Sequence, residues 1–263
     1  MKEGEIYFIS DLHADFYMST KTELKIKKAI SQYVKGLLGE FTINKDTDTL
    51  IIAGDVANNN QVSIPVLLEL STYFKNTLFV YGNHDLYLTS NRQKKKYKNS
   101  WKRLEECYEA TKSHVHWLGK EFDGPIIIND LLIAGEAMIN NPYLTERGTL
   151  FYNQFSNDER CIKGDRVTKY KKELQYYNEL RHLKPDIFVS HWPTYVTPKY
   201  QGSKTGEEGM YINEQDPIAP LQIHGHTHED LHLIRGENRY LSHAVGYDEP
   251  NKTIQRIQPR WLH

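Results

Sequence analysis

Short apolar runs alternate with helical periodicities along the chain. Residues 6–9, 50–53, 77–80, 186–189 and 221–224 are runs of about four residues, rich in Ile, Leu, Val and Phe. Their length and near-continuous apolarity predict strands covered on both faces. Between them lie stretches with apolar residues at helical spacing. In 22–38 these are Leu24, Ile26, Ile30, Val34, Leu37 and Leu38, closed by Gly39. Residues 62–74 predict a second helix entered through Pro65 in its first turn. Residues 91–112 and 165–182 predict two more. The runs 125–128 and 131–134, joined by Asn129-Asp130, predict a hairpin. Residues 231–234, 240–243 and 253–257 predict an antiparallel meander. Residues 140–164 show no period and are expected to form a long surface loop or lid, and 199–216, with Gly202, Gly206 and Gly209, another loop. Strand and helix signals in alternation give an α/β fold with a largely parallel core. No Pro/Gly/Ser-rich linker divides the chain, so residues 1–263 are expected to form one domain.

Five of the strand-like runs end in polar residues of metal-binding type. They lead into Asp11 and His13, Asp55, Asn83 and His84, His191, and His226 and His228. Open α/β sheets bind ligands at the carboxyl ends of their strands, which would gather these residues into one pocket. Asp and Asn oxygens with imidazoles, and no sulfur, suit a borderline or hard divalent ion such as Mn, Fe, Ni or Zn. The donors are too numerous for one tetrahedral site, but two ions sharing a carboxylate would use them. One Asp-x-His alone is more often structural. Five strand ends of this type in one chain reverse that balance.

The blocks Asp11-x-His13, Gly54-Asp55, Gly82-Asn83-His84-Asp85, His191 and Gly225-His226-x-His228 resemble, in order, those of the calcineurin-like metallophosphoesterase superfamily. The resemblance implies a four-layer α/β/β/α sandwich that hydrolyses phosphoesters. It implies that Asp11, His13 and His228 hold one divalent ion, that Asn83, His191 and His226 hold a second, and that Asp55 bridges them, manganese being the favoured metal. His84 would stand outside the metal shell and protonate the leaving group, held in the right tautomer by Asp85. A metal-bridging hydroxide would attack phosphorus without a covalent enzyme intermediate. After Asp55 comes Val56-Ala57-Asn58, not the Asp-Arg-Gly of the Ser/Thr phosphatases. The Tyr ligand of purple acid phosphatases is also missing there. A phosphodiesterase is favoured over a phosphomonoesterase acting on a small molecule or nucleotide. A catalytically silent scaffold is a further alternative, although every block is intact.

The remaining features narrow partners and place. The net charge of −1 over 263 residues makes no general case for nucleic acid. Arg92, Lys94, Lys95, Lys96, Lys98, Lys102 and Arg103 form one basic run with Tyr97 and Trp101 interleaved. Its plain reading is a solvated helix face. The alternatives are a contact for an anionic or nucleotide substrate, or a nucleic-acid-binding module. Two distant cysteines, Cys107 and Cys161, fit a reducing compartment. No apolar run has the length of a membrane span, and the N-terminus enters a strand without a signal-peptide pattern, so a cytoplasmic location is expected. Asp15 and Asn58, close behind two blocks, read equally as ligand-orienting residues or as turn chemistry. His224 is expected in the core or behind a ligand, and Trp192 either stacks on a base or packs.

Overall fold

The computed structural model describes residues 4–18, 23–201, 213–247, 249 and 251–261. Five strands form one sheet: β1 (Ile6–Ile9), β2 (Thr49–Ala53), β3 (Asn76–Val80), β4 (His116–Trp117) and β11 (Gln255–Arg256). Six form the other: β5 (Ile126–Ile128), β6 (Leu131–Gly135), β7 (Ile187–Val189), β8 (Leu221–His224), β9 (Asp230–Arg235) and β10 (Asn238–His243). The orders are β11-β1-β2-β3-β4 and β5-β6-β7-β8-β10-β9. Pairing is parallel from β1 through β4 and from β6 through β8 to β10.

Alternation along the strands builds the layers, because successive side chains point to opposite faces. Ile6 and Phe8 of β1, with Ile51, Ala53, Leu78 and Val80, meet Ile133, Ile187, Val189 and Ile223 of the other sheet in one core. The intervening residues Tyr7, Ile9, Leu50, Ile52 and Phe79 pack outward. They meet α1 (Glu23–Leu38), α2 (Asn60–Ser71) and α4 (Ser100–Thr111) through Val34, Leu37, Val66, Leu70 and Leu104. On the far side, Ala134 and Phe188 pack on Tyr176, Tyr177 and Leu180 of α7 (Arg166–Leu180). The result is helices, sheet, sheet and helix in four layers, the expected sandwich.

Three local expectations are corrected. Residues 91–112 are two helices, α3 (Asn91–Tyr97) and α4. Lys98 turns left-handed between them at φ 59°, and the Asn99 side chain caps α4. Residues 140–164 are not a loop. They hold α5 (Glu146–Phe155) and α6 (Asn157–Cys161), capped by Thr145 and Ser156 and too short to show a period. The tail is not a meander: β9 and β10 form a hairpin, but β10 pairs parallel with β8, and β11 crosses to β1 of the other sheet. The pairing of β4 was not anticipated, its two residues being too few to carry a pattern. Most of the loop expected at 199–216 lies outside the described residues.

Candidate metal centre

Five parallel strands deliver the seven expected ligands to one end of the sandwich. β1 leads into Asp11 and His13, β2 into Asp55 and β3 into Asn83, while β7 and β8 lead into His191, His226 and His228. Each strand must then turn within one or two residues. Asp11, His13, Asp55, His226 and His228 adopt φ of 51°, 41°, 60°, 71° and 52°. Five of the seven candidate ligands thus lie in the left-handed region, which side chains other than Gly enter at a cost and which marks functional sites. Gly82 permits the closest approach, since a Cβ there would stand 2.1 Å from Asp55 Oδ1 and 2.7 Å from the His191 ring.

Ligand atoms converge in overlapping sets. Asp11, His13 and His228 form one, and Asp55, His191 and His226 another, with donor atoms within 4.8 Å of one another. His13, Asp55 and His84 form a third set that spans the two. Asn83 joins the second, its Oδ1 lying 3.0 Å from both His191 Nε2 and His226 Nδ1. His13 Nε2 and His228 Nε2 face each other at 3.0 Å, and His228 Nε2 lies 3.3 Å from Asp11 Oδ1. Asp55 Oδ2 is buried and accepts no hydrogen bond among the described residues. It stands 3.4 Å from His191 Nε2 and 3.9 Å from His13 Nε2. A buried carboxylate oxygen left in this state, ringed by imidazole nitrogens, fits a cation on either side of it.

The surroundings prepare these donors. His191 Nδ1 lies 2.8 Å from the Ala53 carbonyl, to which it donates, so Nε2 is turned toward Asp55. Burial opposes charge on His191, but Asp55 beside it prevails and raises the pKa to about 9, so a cation at Nε2 would have to displace a proton there. Burial lowers His13 and His226 to about 3, the neutral form a ligand needs. Burial alone would raise Asp55, yet the imidazoles around it, His191 first, hold its carboxyl well below the usual range. Asn83 Nδ2 donates to Asp158 Oδ1 at 2.9 Å and to Tyr87 at 3.0 Å, which aims its oxygen at the histidines. Arg166 in turn holds Asp158 Oδ2 at 2.8 Å.

The expectation for Asp85 is corrected. Its carboxylate accepts from the backbone of Gly82, Asp55 and Val56 at 2.9, 2.9 and 3.2 Å and does not touch the His84 imidazole. It braces the strand ends from beneath. Burial, then the charge of Asp55, raises its pKa to about 6. Asn58 is the partner of His84, with Oδ1 2.8 Å from Nδ1. Asp15 fixes that amide by accepting from Asn58 Nδ2 at 2.9 Å and from its backbone N–H at 3.2 Å. Since only the amide nitrogen can face a carboxylate, Oδ1 must accept from His84, and His84 carries its proton on Nδ1. Nε2 is left facing the cavity, 3.1 Å from the Tyr247 hydroxyl.

A cavity of about 300 Å³ opens over the centre, lined by Asp55, Asn83, His84, Asp158, His226 and His228, with Tyr87, Phe155, Lys199, Tyr200 and Tyr247 around them. Residues 140–164 thus supply part of the wall, through helices. The basic run does not line this cavity. Arg103 is buried and donates to the carbonyls of His84, Tyr87 and Ala57 and to Asn60 Oδ1 at 2.7–3.0 Å. Lys96 and Lys102 pair with Glu106 and Glu105. Trp192 packs, fully buried, against the His191 and His226 rings. His224 is a core residue whose Nε2 meets the Tyr195 hydroxyl. Tyr247 and Lys199 were not singled out in the sequence, for neither stands in a motif.

The calcineurin-like phosphoesterase family profile matches residues 4–230, most of the chain and all five strand ends. The chain belongs to this family. It is a phosphoester hydrolase, and the family implies divalent metal ions at such a centre. Among solved structures it resembles phosphopantetheinyl hydrolase (PptH) from Mycobacterium tuberculosis, at 16% identity and a TM-score of 0.74, covering 98% of this chain and 96% of that one. A putative 5'-nucleotidase from Staphylococcus aureus matches at 14% identity and a TM-score of 0.42, over 90% of this chain and 48% of that one. A novel archaeal phosphodiesterase matches at 15% identity and 0.38, over 98% and 96%. No curated protein sequence matches the chain. Among the described residues no helix is long and apolar enough to cross a membrane.

Proposed function

We propose that this hydrolase is a dinuclear phosphodiesterase. Asp11, His13 and His228 would hold one ion and Asn83, His191 and His226 the second, with the Asp55 carboxylate available to both. When bound, two divalent ions would neutralise phosphate oxygens and acidify a water for attack on phosphorus. His84 stands beside them and presents Nε2 to the departing ester oxygen, with Nδ1–H held by Asn58. Burial favours the neutral imidazole, so Nε2 would first take the proton that the attacking water gives up and then pass it to the departing oxygen, completing cleavage without a covalent enzyme intermediate. Manganese is favoured, with Fe, Ni and Zn suiting the same donors.

The observation that favours a diester is the cavity's poverty in fixed positive charge. Lys199 is the one Lys or Arg among its described lining residues, and its Nζ already donates to the Thr227 carbonyl at 2.8 Å. A monoester carries about two charges at neutral pH, a diester one. Tyr87, Phe155 and Tyr200 offer ring surface for a second ester arm. A phosphomonoesterase acting on a small molecule or nucleotide is the competing reading.

The test is hydrolysis of bis-p-nitrophenyl phosphate beside p-nitrophenyl phosphate, with Mn²⁺ and with chelator, by wild type, Asp55→Asn and His84→Ala. Diester turnover that requires metal and Asp55 is expected. A preference for the monoester would overturn the diester reading, and metal-loaded protein that turns over neither would favour a silent scaffold. We also read residues 1–263 as one domain, because β10 and β11, beyond the family match, complete both sheets. A cytoplasmic location is supported by Cys107 and Cys161, both free thiols.

A further inference from the structure

The orientation of His84 dictates where the leaving oxygen lies. Nδ1 is committed to Asn58, so the oxygen must approach Nε2 at hydrogen-bond distance. The Tyr247 hydroxyl already stands 3.1 Å from that atom. A leaving oxygen must therefore sit beside this hydroxyl or displace it, which puts the Tyr247 ring within reach of the arm attached to it. That ring stacks on His13, centroids 4.3 Å apart and planes at 29°. Phe16 extends the aromatic surface outward at 4.8 Å. Phe16 is 57% exposed and Tyr247 41%. Two large adjoining rings left in water beside a reaction centre are characteristic of a binding surface.

Both rings are held in place. Phe16 belongs to a short 3-10 turn directly after His13. Val245 donates to Ser10 and Gly246 to Asp11 at 3.0 and 2.9 Å, and the Tyr17 hydroxyl donates to Gly246 at 2.7 Å. The strand end that carries two candidate ligands thus also fixes the aromatic pair.

We propose that Phe16 and Tyr247 form a leaving-group subsite for a planar, uncharged arm, aryl or nucleobase-like. A ring stacks there without desolvating charge, whereas an anionic arm would lose hydration against the two rings. The inference rests on hydrolysis at this cavity, but not on the choice between diester and monoester.

The experiment compares two methyl phosphodiesters of similar leaving-group acidity, one phenyl and one hexafluoroisopropyl, with the 4-sulfophenyl ester as a planar anionic arm. Rates of product release are measured for Mn²⁺-loaded wild type, Phe16→Ala, Tyr247→Leu and Tyr247→Phe, with metal content assayed in each. Wild type is expected to favour phenyl over hexafluoroisopropyl by about tenfold in kcat/KM, the worth of one aromatic stack, and to disfavour 4-sulfophenyl. Phe16→Ala and Tyr247→Leu should erase that preference at unchanged metal content, while Tyr247→Phe keeps it. Equal preference in wild type and in the two ring-deleting variants overturns the subsite. If wild type cleaves only monoesters, the diester reading fails. The same comparison on phenyl and hexafluoroisopropyl monoesters then judges the subsite by the same criterion.

Discussion

His84 Nδ1 lies 2.8 Å from Asn58 Oδ1, and this contact orients the imidazole. An amide in that place holds the ring without adding a full negative charge, while Asp15 supplies the charge one residue further away. Asn58→Ala leaves the ring free to rotate. The expected result is a loss in kcat of about tenfold for an activated aryl ester and about a hundredfold for an alkyl ester, in line with the usual worth of a placed general acid. Asn58→Asp should not restore it, because its carboxylate would face that of Asp15 where the amide nitrogen now donates at 2.9 Å. A loss of equal size for both leaving groups would show that Asn58 does not act through His84.

Gly82 offers a test of how tightly the centre is closed. The Cβ of alanine would stand 2.1 Å from Asp55 Oδ1 and 2.7 Å from His191 Cε1 and Nε2. Gly82→Ala is expected to abolish binding of the second ion, read as a fall in bound Mn²⁺ per protein, with activity falling at least a hundredfold, as when a supporting contact displaces a site by about an ångström. Full metal content in the variant would contradict this geometry.

The basic run divides into one structural arginine, Arg103, and exposed lysines with Arg92. Arg103→Leu leaves three carbonyls and an amide oxygen without their donor, at a cost on the order of 3 kcal/mol, visible as a lowered denaturation midpoint. Lys94, Lys95 and Lys96 do not line the cavity over the metal centre. Changing all three to Ala should leave KM for bis-p-nitrophenyl phosphate within about twofold, the scatter of ordinary surface substitutions. A large rise in KM would return the run to the substrate.

Glu136 gives the protein a pH signature. Burial, then the charge of Glu173, lifts its pKa from 4.5 to about 8. Between these values the folded state binds more protons than the unfolded chain. The stabilisation from this group is therefore complete below the unfolded pKa and disappears as pH rises toward 8. Glu136→Gln is expected to flatten the decline in stability between pH 5.5 and 8, measured by urea denaturation of the metal-free protein. Glu173, Asp85 and His191, also raised, leave a residual slope. A decline as steep in the variant as in wild type would show that Glu136 does not titrate in this range.

The alternation of strands and helices, and the placing of the seven candidate donors at strand ends, were legible because each rests on a short-range pattern, whereas the four-layer count came from the family resemblance. A run such as Leu50-Ile51-Ile52-Ala53 is apolar on both faces because both are covered, and parallel pairing then sends every such run to the same end of the molecule. What sequence could not show depends on contacts distant along the chain. Asp85 adjoins His84, but the 3-10 turn at His84–Leu86 directs its carboxylate down to three backbone amides. Asn58 reaches His84 across 26 positions and Tyr247 across 163. Arg103 looked like its neighbours, yet its helix face is buried while theirs are exposed.

The left-handed backbone at Asp11, His13, Asp55, His226 and His228 sets this protein's stability against its function. Each such residue costs on the order of 1 kcal/mol or more, offset by the two sheets that clamp it. Glycine at any one of them would relax the backbone and remove a donor in the same change. Selection for a sturdier metal-free fold would thus erode the centre one residue at a time, and a member of this family that has lost its chemistry is expected to carry Gly or Asn at these five positions first.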